Sequence, residues 1–166
     1  MAWTIRSAQQ SDLPELLRLE STFPSDRISE VSFRRFMASA SAEVWVAAVD
    51  DRLLGSALLL YRAGRSSAHL GSLVSDPAHR GLGIGRSLLA FAEGAAAARG
   101  RMRMRLEVRV DNQAAIALYL GNGYRRVTVR PAYYEDGQDA LAMLKELSRA
   151  DQAGGQGPTV LPLGSG

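Results

Sequence analysis

Residues Arg80-Gly81-Leu82-Gly83-Ile84-Gly85-Arg86 put three alternate glycines between a strand-like segment, 68–74, and the start of an amphipathic helix. A strand that feeds a helix through so small a turn lets several backbone N–H groups converge at the helix N-terminus, where a phosphate-like anion fits. A glycine-rich turn with no ligand is the competing reading of the glycines alone. Their spacing argues against dinucleotide binding. It runs G-x-G-x-G rather than G-x-G-x-x-G, and the strand before it is the fourth in the chain instead of opening a β-α-β unit. A Walker-type loop ends in Gly-Lys-Ser/Thr, whereas the sole lysine, Lys145, stands in Leu144-Lys145-Glu146.

The helix after this turn carries Leu88, Leu89, Phe91, Ala92, Ala95 and Ala96 on one side and stops at Gly100. Upstream, residues 3–7 read as a first strand, and Asp12-Leu13-Pro14-Glu15 supplies an N-cap, an early proline and a glutamate for a helix to about Glu20. Ser29 caps a second helix whose Val31, Phe33, Phe36 and Met37 make an apolar stripe, with Arg34 and Arg35 outward. Segments 43–49 and 53–62 form strands about the turn Asp50-Asp51-Arg52. Residues 103–110 alternate strictly: Met104, Leu106, Val108 and Val110 share one face, and Arg103, Arg105, Glu107 and Arg109 the other. Asp111 and Asn112 open a helix to Gly121 or Gly123, and 125–130 and 140–147 finish as strands. The order β-α-α-β-β-β-α-β-α-β-β predicts one α/β domain over residues 1–147, a mixed sheet of about seven strands covered on both faces by about four helices. Residues 148–166, rich in Gly, Gln, Pro and Ser, read as a flexible tail.

Composition narrows the function. A chain of 166 residues, 46% hydrophobic and 22% charged, suits one domain with a real core. With no cysteine, disulfides, Cys-ligated zinc, iron–sulfur clusters and thiol nucleophiles are absent, in agreement with a reducing compartment. The first residues lack a basic segment followed by a long apolar one, and the apolar run 53–61 is short and flanked by arginines, so the cytoplasm is expected and no membrane. The net charge of +3 hides 19 arginines. In Arg99-Gly100-Arg101-Met102-Arg103-Met104-Arg105 they alternate with apolar residues and lack base-stacking aromatics, which is the solvated face of a half-buried strand rather than a nucleic-acid site. Such charges can still attract acidic substrates. His69 and His79 are ten apart with no metal-ligand spacing, so no metal is expected and neither is assigned to catalysis. Glu135-Asp136 reads as turn chemistry.

The second cluster is Leu106-Glu107-Val108-Arg109-Val110-Asp111-Asn112, continued through Tyr119. Asn112 and Tyr119 lie about two helical turns apart, roughly 10 Å, on one helix face and could line one groove. Taken singly, Asn112 is equally a helix cap, Tyr119 a core aromatic, and Glu107 a partner for Arg105 or Arg109.

In this order, Val74-Ser75-Asp76-Pro77-Ala78-His79-Arg80 through Gly85, then Leu106-Glu107-Val108-Arg109, then Asn112 to Tyr119 with Gly123-Tyr124, the chain resembles the GCN5-related N-acetyltransferases over about residues 5–147. It is most similar to the ribosomal-protein alanine N-acetyltransferases and related N-terminal acetyltransferases, with which it shares the late segment Tyr133-Tyr134-Glu135-Asp136-Gly137-Gln138-Asp139-Ala140. The resemblance implies a mostly antiparallel sheet whose strands four and five are parallel and splay apart around acetyl-CoA. It implies that the backbone of Leu73, Val74 and Ser75 pairs with the pantetheine arm. Arg80, Gly81, Leu82, Gly83, Ile84, Gly85 and Arg86 would hold the pyrophosphate, and Asn112 and Tyr119 would touch the cofactor arm. Glu107 would be general base and Tyr119 the acid that protonates the leaving thiolate. Segments 23–27 and 131–139 would frame the acceptor, with Phe23, Tyr133 and Tyr134 against it, although ordinary packing also accounts for the two tyrosines. Where those enzymes often carry Pro-Trp in the first loop, this chain has Pro24-Ser25. The expected function is direct transfer, in a ternary complex, of an acetyl group to a primary amine of a protein or peptide by a monomer or homodimer. A small-amine acetyltransferase and a non-catalytic acyl-CoA sensor are the alternatives.

Overall fold

The computed structural model describes residues 2–148 and the backbone of 159–162. The alternating segments become strands of one sheet: β1 (Ala2–Ser7), β2 (Ala42–Val49), β3 (Arg52–Tyr61), β4 (Ser67–Ser75), β5 (Arg103–Arg109), β6 (Arg125–Arg130), β7 (Ala140–Glu146) and β8 (Thr159–Pro162). Their spatial order is β6-β7-β5-β4-β3-β2-β1-β8. The sheet is mixed and mostly antiparallel, as expected, and β4–β5 is its parallel pair. A parallel pair needs a crossover, which the helix after the glycine turn supplies. β8 was not foreseen. It pairs antiparallel with β1 inside the segment read as a tail, so that reading gives way at these four residues; 149–158 and 163–166 lie outside the described residues.

Four helices, α1 (Leu13–Glu20), α2 (Glu30–Ala38), α3 (Ile84–Ala98) and α4 (Gln113–Gly121), cover the sheet. On one face α1 and α2 bury Leu13, Leu16, Leu19 and Phe33 against Val44, Val46, Leu53, Leu58 and Val74. On the other, α3 and α4 bury Leu88, Leu89, Ala92, Ala96 and Ile116 against Leu59, Leu70, Met104, Leu106 and Val108. The coverage stops short of β6, whose six residues are all exposed, which corrects the expectation of a sheet covered throughout. Val31 is likewise 72% exposed rather than in the α2 stripe. Ser29 caps α2 by accepting from the Ser32 N–H, but Asp12 does not cap α1. Its carboxylate receives the Arg6 guanidinium and the Gln9 N–H instead, in a 3-10 turn ahead of the helix. Among the described residues no helix is long and apolar enough to cross a membrane.

Two glycines fix how the layers meet. At Gly55 in β3 a Cβ would stand 2.8 Å from the Leu88 side chain, 2.8 Å from the Val74 carbonyl oxygen and 2.9 Å from Ile84, so only hydrogen lets the start of α3 sit on the sheet. Gly55→Ala is therefore expected to lower stability by about 2 kcal/mol and the Tm by roughly 4–8 °C, measured by urea and thermal unfolding. At Gly71 the register slips. Leu58 pairs with Ser72 and Leu59 with Leu70, which leaves Gly71 as a bulge in β4. The β4–β5 pairing runs from Ser67↔Arg103 to Leu70↔Leu106 and ends there, at the bulge.

Candidate active site

Beyond Leu70 and Leu106 the parallel strands diverge, and the gap opens into a cleft of about 680 Å³ including its mouth. Leu73, Glu107, Asn112, Tyr119, Tyr134 and Phe23, all singled out in the sequence, line this one cleft. Alternation explains Glu107: with Leu106 and Val108 turned into the α3/α4 core, its side chain must emerge on the opposite face. There it is only 8% exposed. Its Oε1 lies 2.9 Å from His69 Nε2 and accepts from the Tyr133 hydroxyl at 3.1 Å, while Oε2 is 3.7 Å from an Arg105 Nη1. Burial pushes the Glu107 carboxyl pKa up, but the hydrogen bond and charge of His69, the Tyr133 hydroxyl and Arg105 together outweigh it. The group is held below the usual carboxylate range and is ionised at neutral pH.

α4 carries the next pair. Asn112 is its N-cap, accepting from the Ala115 N–H at 3.2 Å, and still borders the cleft, so both readings of this residue hold. Tyr119, two turns on, is 6% exposed and packs edge-on against Tyr124 with ring centroids 5.5 Å apart. Burial, and then the neighbouring Tyr134, push its pKa well above that of a free phenol, so it keeps its proton.

Two loops close over the outer end of the cleft. The Asp26 N–H donates to Glu135 Oε1 and the Glu135 N–H returns to Asp26 Oδ2, both at 3.0 Å. Arg109 reaches Asp136 at 2.5 Å and Ser25 Oγ at 3.1 Å, with its guanidinium 5.1 Å from the Tyr134 ring centre. The α1–α2 loop and the β6–β7 loop are thus clasped by one arginine and one reciprocal pair of backbone-to-carboxylate bonds. Tyr133 stacks edge-on against Tyr134 at 5.0 Å. Glu135 and Asp136 lie in a turn, as read from the sequence, and serve this closure in addition.

The glycine turn lies beside the cleft rather than in its lining. Gly81 and Gly83 adopt φ of 83° and 73°, conformations that suit glycine, and Gly83 precedes α3 with no side chain capping the first turn. The leading N–H groups of α3 therefore stay open to an outside acceptor. Gly85 abuts both neighbours, since a Cβ there would lie 4.0 Å from Ser75 Oγ and 3.6 Å from Leu118. Arg80 and Arg86 are exposed, and Val74 turns its side chain into the α1/α2 core, so only its backbone could serve a ligand.

Two residues, one beside the cleft and one lining it, escaped the sequence reading. His69, excluded from catalysis there, is the closest partner of Glu107. Its parity on β4 was legible, but the parallel register His69↔Arg105 that brings it alongside was not. Glu20 is 2% exposed, lines the cleft, and accepts from the Ile28 N–H at 2.8 Å and the Ser72 hydroxyl at 2.9 Å. Burial raises its pKa against both hydrogen bonds. Its signal was present: Leu13, Leu16 and Glu20 share one helical stripe, and a carboxyl on an apolar stripe needs a reason.

Comparison with known proteins agrees with this geometry. Residues 10–124 match the model of the acetyltransferase (GNAT) family. An uncharacterized N-acetyltransferase of Methanocaldococcus jannaschii is 36% identical over 120 residues, 72% of each chain. The ribosomal-protein-S18-alanine N-acetyltransferase of Escherichia coli is 30% identical over 156 residues, 87% of this chain and 98% of that one. Its crystal structure superposes with a TM-score of 0.76, covering 88% of this chain and 94% of that chain. The fold is shared too with a PaiA N-acetyltransferase of Thermoplasma acidophilum solved with coenzyme A, at 22% identity and TM-score 0.74, over 88% of this chain and 99% of that chain. The parallel pair that splays at Gly71, the glycine turn ahead of α3 and every cleft-lining residue but Tyr134 fall within residues 10–124, and the chain is an N-acetyltransferase of the acetyl-CoA-using GNAT family.

Proposed function

We propose that the protein transfers an acetyl group from acetyl-CoA directly to a primary amine of a protein or peptide. The observation that carries this reading is the convergence of Glu107, Tyr119 and Tyr134 on one cleft at the β4–β5 splay, with the Tyr133 hydroxyl on Glu107. The residues present suit acetyl-CoA. On the β5 side, β4 has no strand partner after Leu70, so the backbone of Leu73, Val74 and Ser75 is free to pair with an extended amide-bearing arm. The uncapped start of α3, Gly81 to Arg86 with Arg80, suits a pyrophosphate. The thioester supplies an activated acetyl carbon.

The chain's own groups manage the protons. Glu107, ionised at neutral pH, accepts a proton from the acceptor's ammonium, directly or through a water. The freed nitrogen bonds to the acetyl carbon as the carbon–sulfur bond breaks. Tyr119, kept protonated by burial, donates to the departing thiolate, and the second proton, shed by the acetylated nitrogen, passes through water to restore the phenol. No cysteine is available to carry the acyl group, which favours transfer within a ternary complex. Phe23 and Tyr134 line the cleft, which supports the reading that they flank the acceptor.

Thiol release from acetyl-CoA, followed with a peptide bearing a free α-amine, tests the reading. Tyr119→Phe is expected to lower kcat by about 10- to 100-fold while CoA affinity, read by titration, stays within a few-fold. Turnover confined to small amines would replace the peptide acceptor, and CoA binding without turnover on any amine would make the protein a sensor.

A further inference from the structure

The front face of the sheet beside Glu107 is not neutral. Along β5, Arg109 lies under the clasp, Glu107 beneath Tyr133, and Arg105 and Arg103 beyond them, 33% and 50% exposed. Where the clasp closes one end of this row, the other opens into a second, shallow hollow of about 330 Å³ including its open mouth. Arg62, Arg65 and Arg105 line it, together with Ser67, Leu60 and His69. Two of these residues, His69 and Arg105, also contact Glu107, so the hollow begins one side chain away from the proposed base.

Its charge is one-sided. Arg105 has Glu107, and Arg103 shares Glu146 with Arg125, at 3.1 and 3.8 Å. Arg62 and Arg65 have no carboxylate within ion-pair distance among the described residues. The turn that bears them is held from beneath, for Arg101 Nη1 donates to the carbonyls of Arg62 and Arg65 at 2.8 and 2.6 Å. A third guanidinium thus holds the backbone of the turn that carries Arg62 and Arg65, whose exposed side chains reach the edge of the hollow. A guanidinium meets a carboxylate through two parallel hydrogen bonds, so exposed arginines on an anchored turn suit an acidic side chain.

We propose that this hollow is a subsite for acidic side chains of the acceptor, so that the enzyme prefers amines followed within a few residues by Asp or Glu. The inference rests on the peptide reading above and adds its substrate class. With the amine at Glu107 and the clasp closing the way toward Arg109, the peptide runs back along β5 toward Arg105. At about 3.3 Å per extended residue, its second to fourth residues pass over the hollow. An acidic residue there meets Arg62, Arg65 and Arg105; a basic one meets three like charges.

Three peptides with the same first residue, differing only at positions two to four as Asp/Glu, Ser/Gly or Lys/Arg, test the proposal. The acidic peptide is expected to exceed the basic one in kcat/KM by about tenfold or more at low salt, mostly through KM, and the gap is expected to shrink at high salt. The double variant Arg62→Glu/Arg65→Glu is expected to reverse the order. Because the readout is a ratio between peptides, a partly unfolded variant does not disturb it. Equal kcat/KM for all three peptides, or a ratio unmoved in the variant, overturns the acidic preference while leaving peptide acetylation standing. Turnover of small amines with every peptide inert overturns both. An RNA oligonucleotide that outcompetes the acidic peptide reassigns the face to nucleic acid and overturns it as well.

Discussion

Glu107→Gln is expected to lower kcat/KM for a peptide amine by about 10²- to 10³-fold, near the lower half of the range for loss of a positioned general base. The substitution keeps the shape of the side chain and its ability to accept from Tyr133, and removes the charge that His69 and Arg105 face. CoA binding, which the splayed backbone and the α3 turn are proposed to provide, is expected to persist. The pH profile separates base loss from misfolding. Since the carboxyl is held below its usual range, Glu107 stays ionised throughout pH 6–9, and an acidic limb in that window belongs to other groups, the acceptor's α-ammonium of pKa about 7.7–8.0 among them. In the wild type the proposed base is expected to strip that ammonium within the complex. In Glu107→Gln the residual rate is expected to climb with pH, as the fraction of free amine in solution grows. A variant that retained the wild-type rate across pH 6–9 would remove Glu107 from the mechanism and leave the family assignment untouched.

How far the sequence reached depended on whether a feature was local. Strict alternation over residues 103–110 assigned each side chain of β5 to its face, and the structure keeps that assignment, with Met104, Leu106 and Val108 in the core. The same is true of Ser29, whose capping bond spans three residues, and of Asn112 and Tyr119, whose shared face follows from helical pitch. Features set by pairing between distant segments were out of reach. His69 meets Glu107 because two parallel strands align up to Leu70↔Leu106 and diverge immediately beyond it, a register that no local pattern specifies. The clasp joins segments more than a hundred residues apart, Asp26 with Glu135. β6 read as a strand like the others, yet all six of its residues are exposed, because coverage is decided by where helices fall and not by the strand's own pattern. Gly71 was visible as a glycine inside a strand, and its role as the bulge that opens the site needed the partner strand to show it.

Lys145→Met is expected to destabilise the fold by about 3–5 kcal/mol, the cost of leaving a buried carboxylate without its cation. On β7, Leu141, Met143 and Lys145 alternate onto the α3/α4 face, so the sole lysine points into the core layer. It is matched there by Glu93 of α3, 4% exposed, at 2.9 Å, and the Tyr124 hydroxyl donates to the other carboxylate oxygen at 2.8 Å. The lysine stem packs against Gly123, where a Cβ would come within 3.4 Å of it. The pair ties α3 to β7, and through Tyr124, which stacks on Tyr119, it reaches the proposed acid. Methionine fills the lysine's volume, so cavity effects are small and the loss reads the unpaired charge. The double variant Glu93→Leu/Lys145→Met removes both charges and is expected to recover most of the stability, since well-packed apolar replacements of a buried pair are often neutral. Urea unfolding of the two single variants and the double one completes the cycle. A loss below about 1 kcal/mol in Lys145→Met would show that Glu93 is satisfied by Tyr124 and solvent, and that the lysine adds little to the core.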